Sequence, residues 1–184
     1  MTTKRLIGIF LSAVVLAGPP AMAAEKGSAT QLDGEARVAL NNLYATTPAA
    51  KALGQKAMAI LVFPKVTKAG FVIGGQYGEG ALLKGGKSAG YYSTTGASYG
   101  LQAGAQTYGY AMFFMNEKAV GQLDKAQGFE VGIGPSVVVM DEGMARSTTT
   151  TTMKDDIYAF IFSQKGLMAG IGLQGNKISR IDPK

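Results

Sequence analysis

Among its 184 residues the chain has no cysteine, no histidine and no tryptophan. Lacking histidine, it has no side chain suited to proton transfer near neutral pH, nor the commonest zinc ligand. Lacking cysteine, it has no thiol nucleophile, soft metal site or disulfide. Serine–histidine hydrolysis is excluded, and so is the acylated amino-terminal cysteine of a bacterial lipoprotein. Any attachment to a membrane is therefore non-covalent. Charge is sparse as well, at 16% of residues. The adjacent carboxylates Asp141-Glu142 and Asp155-Asp156 would diverge on a strand and suit turns better than an acid–base pair. No catalytic residue, metal site or cofactor is expected, and the chain reads as non-enzymatic.

Long hydrophobic runs are also missing. The best candidate, Leu6 to Ala17, falls short of the roughly 20 residues that span a bilayer and is broken by Gly18-Pro19-Pro20. With Lys4 and Arg5 ahead of it and Ala21-Met22-Ala23 behind, residues 1–23 read as a secretory signal peptide. The expectation is an exported protein, periplasmic or peripherally membrane-associated after cleavage. Loss of Lys4 and Arg5 would leave 16 basic against 12 acidic residues, a net charge of +4 instead of +6. In an exported protein such an excess favours anionic lipid or another acidic envelope polymer, and nucleic acid is not expected. Residues 24–32 read as a flexible N-terminus and 33–184 as one domain with one core.

What the chain has in abundance is glycine, 26 residues of it. Twice an apolar run passes through a lysine into a glycine-punctuated strand: Ile60 to Lys65 leading to Gly70 through Gly80, and Tyr158 to Lys165 leading to Gly166 through Gly175. Glycine weakens a strand unless the missing side chain admits another backbone or lets the strand coil. Here the spacing is even, as in Gly70 and Gly74, Gly78 and Gly80, Gly100 and Gly104, so each set lies on one face. A strongly curved sheet follows.

The remaining elements are short. Asp33 can cap a helix whose apolar positions Ala36, Val38, Ala39, Leu40, Leu43 and Tyr44 mostly recur at helical spacing. Thr47-Pro48 starts a second helix that Gly54 ends, and Asn116 caps a third from Glu117 to about Leu123. Lys84-Gly85-Gly86-Lys87 is a hairpin turn, and Pro64 to Ala69 reads as an irregular connection between strands. The Thr-rich run Ser147 to Thr152 is strand-compatible but polar on both faces. The class is α+β: a strongly coiled antiparallel sheet or half-open small β-barrel packed with a few short helices.

Three of these stretches carry a resemblance. Ala57 to Leu83, the run Tyr99 to Gln106 leading to Met115-Asn116-Glu117-Lys118-Ala119, and Asp156 to Gly175 resemble the SYLF domain, also called the Ysc84 actin- or lipid-binding domain. The likeness extends from roughly Asp33 to Ile181. It implies phosphoinositide-type lipid binding, known of eukaryotic members, and actin binding, known of fungal ones. Actin is not expected as a partner of an exported chain unless secretion carries it into a host.

Two phosphate-loop look-alikes carry no such weight. Gly170-Ile171-Gly172-Leu173-Gln174-Gly175 has dinucleotide spacing but no helix after it, and Ala81 to Ser88 lies in a hairpin with no helix to receive a phosphate. Glu79, between Gly78 and Gly80, is a candidate member of a structural ion pair. The candidate lipid-binding residues are Lys65 and Lys68, beside the Pro64–Ala69 connection, and Lys84 and Lys87, bracketing the glycine turn. If both segments lie at one end of the sheet they form a cationic rim for an anionic phospholipid surface, each lysine contributing about 1 kcal/mol. The alternative is a structural or assembly protein that binds another envelope protein or itself. A small outer-membrane barrel fits less well, because Gly74-Gly75 and Pro135 interrupt the ten-residue alternation such strands need.

Overall fold

The computed structural model describes residues 27–125, 127–131, 136–140, 154–166, 173 and 175–183. Residues 1–23 and the Thr-rich run lie outside this set. The chain forms two helices, α1 (Ala29–Thr46) and α2 (Pro48–Gly54), then a ribbon of two long strands, β1 (Ala59–Lys84) and β2 (Lys87–Phe114). A short helix α3 (Glu117–Val120) with a 3-10 turn (Gly121–Asp124) precedes β3 (Phe129–Glu130), β4 (Val137–Met140), β5 (Ile157–Gly166) and β6 (Lys177–Ile181). The α+β class holds, with a mixed sheet curled into a half-barrel.

Strand β1 has 26 residues. Drawn straight it would run about 85 Å, against a radius of gyration of about 16 Å for a compact chain of this size. The ribbon must therefore coil, and the glycines show where. A Cβ added at Gly80 would lie 2.1 Å from the Val62 carbonyl oxygen, and one at Gly78 would lie 2.8 Å from that of Lys65. The two arms of β1 thus meet backbone to side-chain-free backbone. Between them, around Gly70 to Gly75 and the facing Ala97 to Gly104, the ribbon bends. There a Cβ on Gly70 would lie 2.2 Å from the Gly74 Cα. Both reasons for glycine in a strand, close approach and coiling, operate in one element.

The far edge of β2 is shared. Its first arm pairs with β6 (Tyr91 opposite Ile181 to Thr95 opposite Lys177), and its second with β5 (Gln106 opposite Gly166 to Phe114 opposite Ile157). One apolar cluster fills the inside of the coil, with Leu61, Phe63, Tyr110, Met112 and Phe114 from one arm and Leu82, Tyr92, Phe129 and Ile178 from the other. A second lies on the outer face under the helices, where Ala36, Leu40, Leu43 and Leu53 cover Val62, Phe113 and Phe160. The amphipathic side of α1 is thus spent on packing. An apolar interior is the reverse of a porin-like lumen.

Several expectations need correction. Pro64 to Ala69 is continuous strand with a register shift between Phe63 and Val66. Proline is tolerated there because a bulge removes the need for its missing N–H. The α1 N-cap is Ser28, whose hydroxyl accepts from the Gln31 N–H, so residues 29–32 are helical and Leu32 is buried. Asp33 instead accepts a hydrogen bond from the Ser88 hydroxyl. One strand pair, β4 with β5, is parallel.

Candidate functional site

The four lysines do not form one rim. Lys65 is exposed and borders a cleft of about 220 Å³ between the start of α1 and β1, lined also by Glu35, Tyr77 and Glu79. Lys68, paired in register with Gln106, is only 6% exposed and is not a surface cation. Lys84 and Lys87 are exposed at the hairpin turn, where Gly85 (φ +54°) and Gly86 (φ +75°) adopt the left-handed backbone of a two-residue β-turn. Lys84 lies 3.8 Å from Glu117 in a solvent-exposed ion pair. Because Lys65 lies against Gly78, six strand residues, about 20 Å, separate it from the turn. The conditional rim of the sequence reading is thus divided between two ends.

Glu79 is buried without a salt bridge among the described residues. It accepts from the Tyr77 hydroxyl at 2.5 Å and from the Gly27 N–H at 3.1 Å, tying the approach of α1 to β1. Burial first, then the hydrogen bond and charge of Glu79, push the Tyr77 phenol up to about 12. The carboxylate is a structural acceptor, not an ion-pair member.

A second cleft, of about 330 Å³, opens where the 3-10 turn and β3 meet β6. Lys125, Lys177 and Arg180 line it with Ser179, and its one carboxylate is Asp124. All three cations are exposed. Among the described residues the only salt bridge is Lys84 with Glu117, so none of the three is neutralised by one. The cleft's floor depends on Gly128 (φ +79°), where a Cβ would lie 2.5 Å from the Ile178 carbonyl oxygen. Tyr92, in register with Arg180, reports the local field. Burial pushes its phenol up, Arg180 pulls it back and Asp124 adds to the rise.

Sequence reasoning missed this cleft. Lys125 and Arg180 are more than fifty residues apart and carry no local pattern; only the β2–β6 and β3–β6 pairings bring them together. Chemically the cleft offers charge and hydrogen bonds to an oxyanion. Among the described residues no cluster of three or more acidic side chains could hold a metal.

Residues 95–182 match the Ysc84 family model, described as "Las17-binding protein actin regulator". Over that span the chain matches a Ysc84 (SYLF) domain. The match begins on β2, so the resemblance seen at Ala57 to Leu83 lies outside it. That stretch is nevertheless joined to the matched span, since β1 pairs with β2 from Ala59 opposite Phe114 to Lys84 opposite Lys87. The second cleft lies inside the matched span. Ysc84 domains are known for actin and lipid binding and form a family of binding domains, not of enzymes. No curated protein matches the chain.

Proposed function

We propose that this protein is an exported, non-enzymatic lipid-binding protein that recognises the anionic head groups of a membrane surface through the cleft of Lys125, Lys177 and Arg180. The observation that carries this reading is the charge of that cleft: Lys125, Lys177 and Arg180 line a space of about 330 Å³ whose one lining carboxylate is Asp124, with Glu130 opposite Lys177 on β3. A phosphate ester is the ligand such a set suits, and Lys177 with Ser179, which share one face of β6, can donate hydrogen bonds to its oxygens. Lys65, Lys84 and Lys87 add general attraction from other sides, and Lys68 serves the fold. Residues 1–23 direct export, and in the envelope the protein meets phospholipid, not cytoskeletal actin.

Near an anionic bilayer each cation contributes about 1 kcal/mol. Reversing two of them, Lys177→Glu with Arg180→Glu, should therefore weaken binding to phosphatidylglycerol vesicles by about 2–4 kcal/mol, roughly 30-fold to 1000-fold. The control pair Lys84→Glu with Lys87→Glu should weaken it less. Equal loss from both pairs would refute the cleft as the site. Stable self-association with no vesicle binding would favour the assembly alternative.

A further inference from the structure

The bend of the β1–β2 ribbon has its polarity inverted. No charged residue occurs between Lys68 and Glu79 in β1, or between Lys87 and Glu117 across the whole of β2. Around the bend, Ala69, Ile73, Gly75, Ala97, Gly104 and Ala105 are exposed, while the glutamines Gln76 and Gln106 are buried. Ile73 is 63% exposed, whereas most large apolar side chains among the described residues are buried. A turn facing water would place glutamine outside and isoleucine inside.

The base of the bend is clamped. Gln76 donates from Nε2 to Asn176 Oδ1, and the Tyr108 hydroxyl donates to Gln76 Oε1 at 2.9 Å. Gly96 leaves room for both amides, since a Cβ there would overlap them. Among the described residues nothing lies within 4 Å of the Cβ positions of Gly75 and Gly104, so the ribbon is open at these two points. Exposed cations stand on the flanking rows. Lys177 is opposite Thr95, one residue from Gly96, and Lys165 is opposite Thr107 on the other arm.

We infer that this bend is a wedge that inserts into the boundary between head groups and acyl chains of an anionic bilayer, with Ile73 at its leading edge. The inference rests on the lipid-binding reading and adds hydrocarbon as a second contact. A charge-free, largely apolar tip flanked by two exposed lysines matches an anionic bilayer better than a protein groove, because head-group phosphates pair with the lysines while the acyl region receives the isoleucine.

The absence of tryptophan gives a clean test. The full chain bearing Ile73→Trp is titrated with vesicles of phosphatidylglycerol and phosphatidylcholine, with and without brominated acyl chains. The expected result is a blue-shifted emission that brominated lipid quenches, and vesicle affinity about tenfold weaker or more in Ile73→Asp with an unchanged circular dichroism spectrum. Sedimentation with vesicles while the emission stays water-like and unquenched would overturn insertion and leave head-group binding standing. Failure to sediment at all would overturn both. A blue shift produced only by envelope proteins, without lipid, would reassign the bend to a protein partner and overturn the wedge.

Discussion

Replacing Gly80 with alanine would place a methyl carbon 2.1 Å from the Val62 carbonyl oxygen, where ordinary contact begins at 3.4 Å. The shortfall exceeds 1 Å, and the next atoms met are Phe63 Cδ1 and the Val62 carbonyl carbon, both at 2.8 Å. Neither can swing aside, because Val62 and Phe63 are wholly buried, one in each apolar cluster. Overpacking of this kind costs about 1–3 kcal/mol, more than the roughly 0.5–1 kcal/mol that alanine normally gains over glycine inside a strand. At Gly75, where a Cβ meets nothing within 4 Å, only the gain applies. Urea unfolding followed by circular dichroism should therefore show Gly80→Ala destabilised by about 1–2 kcal/mol and Gly75→Ala neutral or slightly stabilised. A Gly80→Ala protein as stable as the parent would show that the arms of β1 do not meet as described, and the coiled-ribbon explanation of the glycines would fail.

Alkaline pH should unfold the protein. Burial pushes the Tyr108 phenol up to about 12 and that of Tyr110 higher still, so the folded state keeps protons that the unfolded state releases above its ordinary value of 10. Their contribution to stability is complete below pH 10 and is lost as pH rises towards 12. Tyrosinate absorbance should show these phenols ionising together with loss of structure; titration of both near pH 10 in a folded protein would contradict their burial. Asn116→Ala removes the cap on the Ala119 N–H and the 2.7 Å bond to Asp156, and should cost about 1–2 kcal/mol in the same urea assay; no change would mean that α3 does not depend on its cap.

The parts of this fold that were legible in the sequence are those set by local backbone chemistry. Gly85-Gly86 permits the left-handed turn, Pro48 fits the first position of α2, and Asn116 offers its side chain to the N–H three residues on. Even spacing of glycine marked a coiled sheet because side-chain alternation on a strand is strict. Pro64 misled, since proline reads as a break and a bulge on an edge strand escapes that rule. The lysines misled for a different reason. A turn lysine such as Lys87 is exposed by its position, whereas Lys68 lies inside β1 opposite Gln106, where its burial is set by the rest of the fold. The cleft of Lys125, Lys177 and Arg180 was invisible because it is assembled by pairings of neighbouring strands that lie far apart along the chain.

Co-sedimentation of the protein, freed of residues 1–23, with phosphatidylglycerol vesicles across a salt series tests the central claim most directly. Exposed cations lose their hold as the Debye length falls from about 10 Å at 0.1 M to about 3 Å at 1 M salt. The account predicts binding that is strong at low salt, falls steeply with ionic strength and is absent on phosphatidylcholine. Equal binding to both lipids at every salt concentration, or none to either, would contradict it.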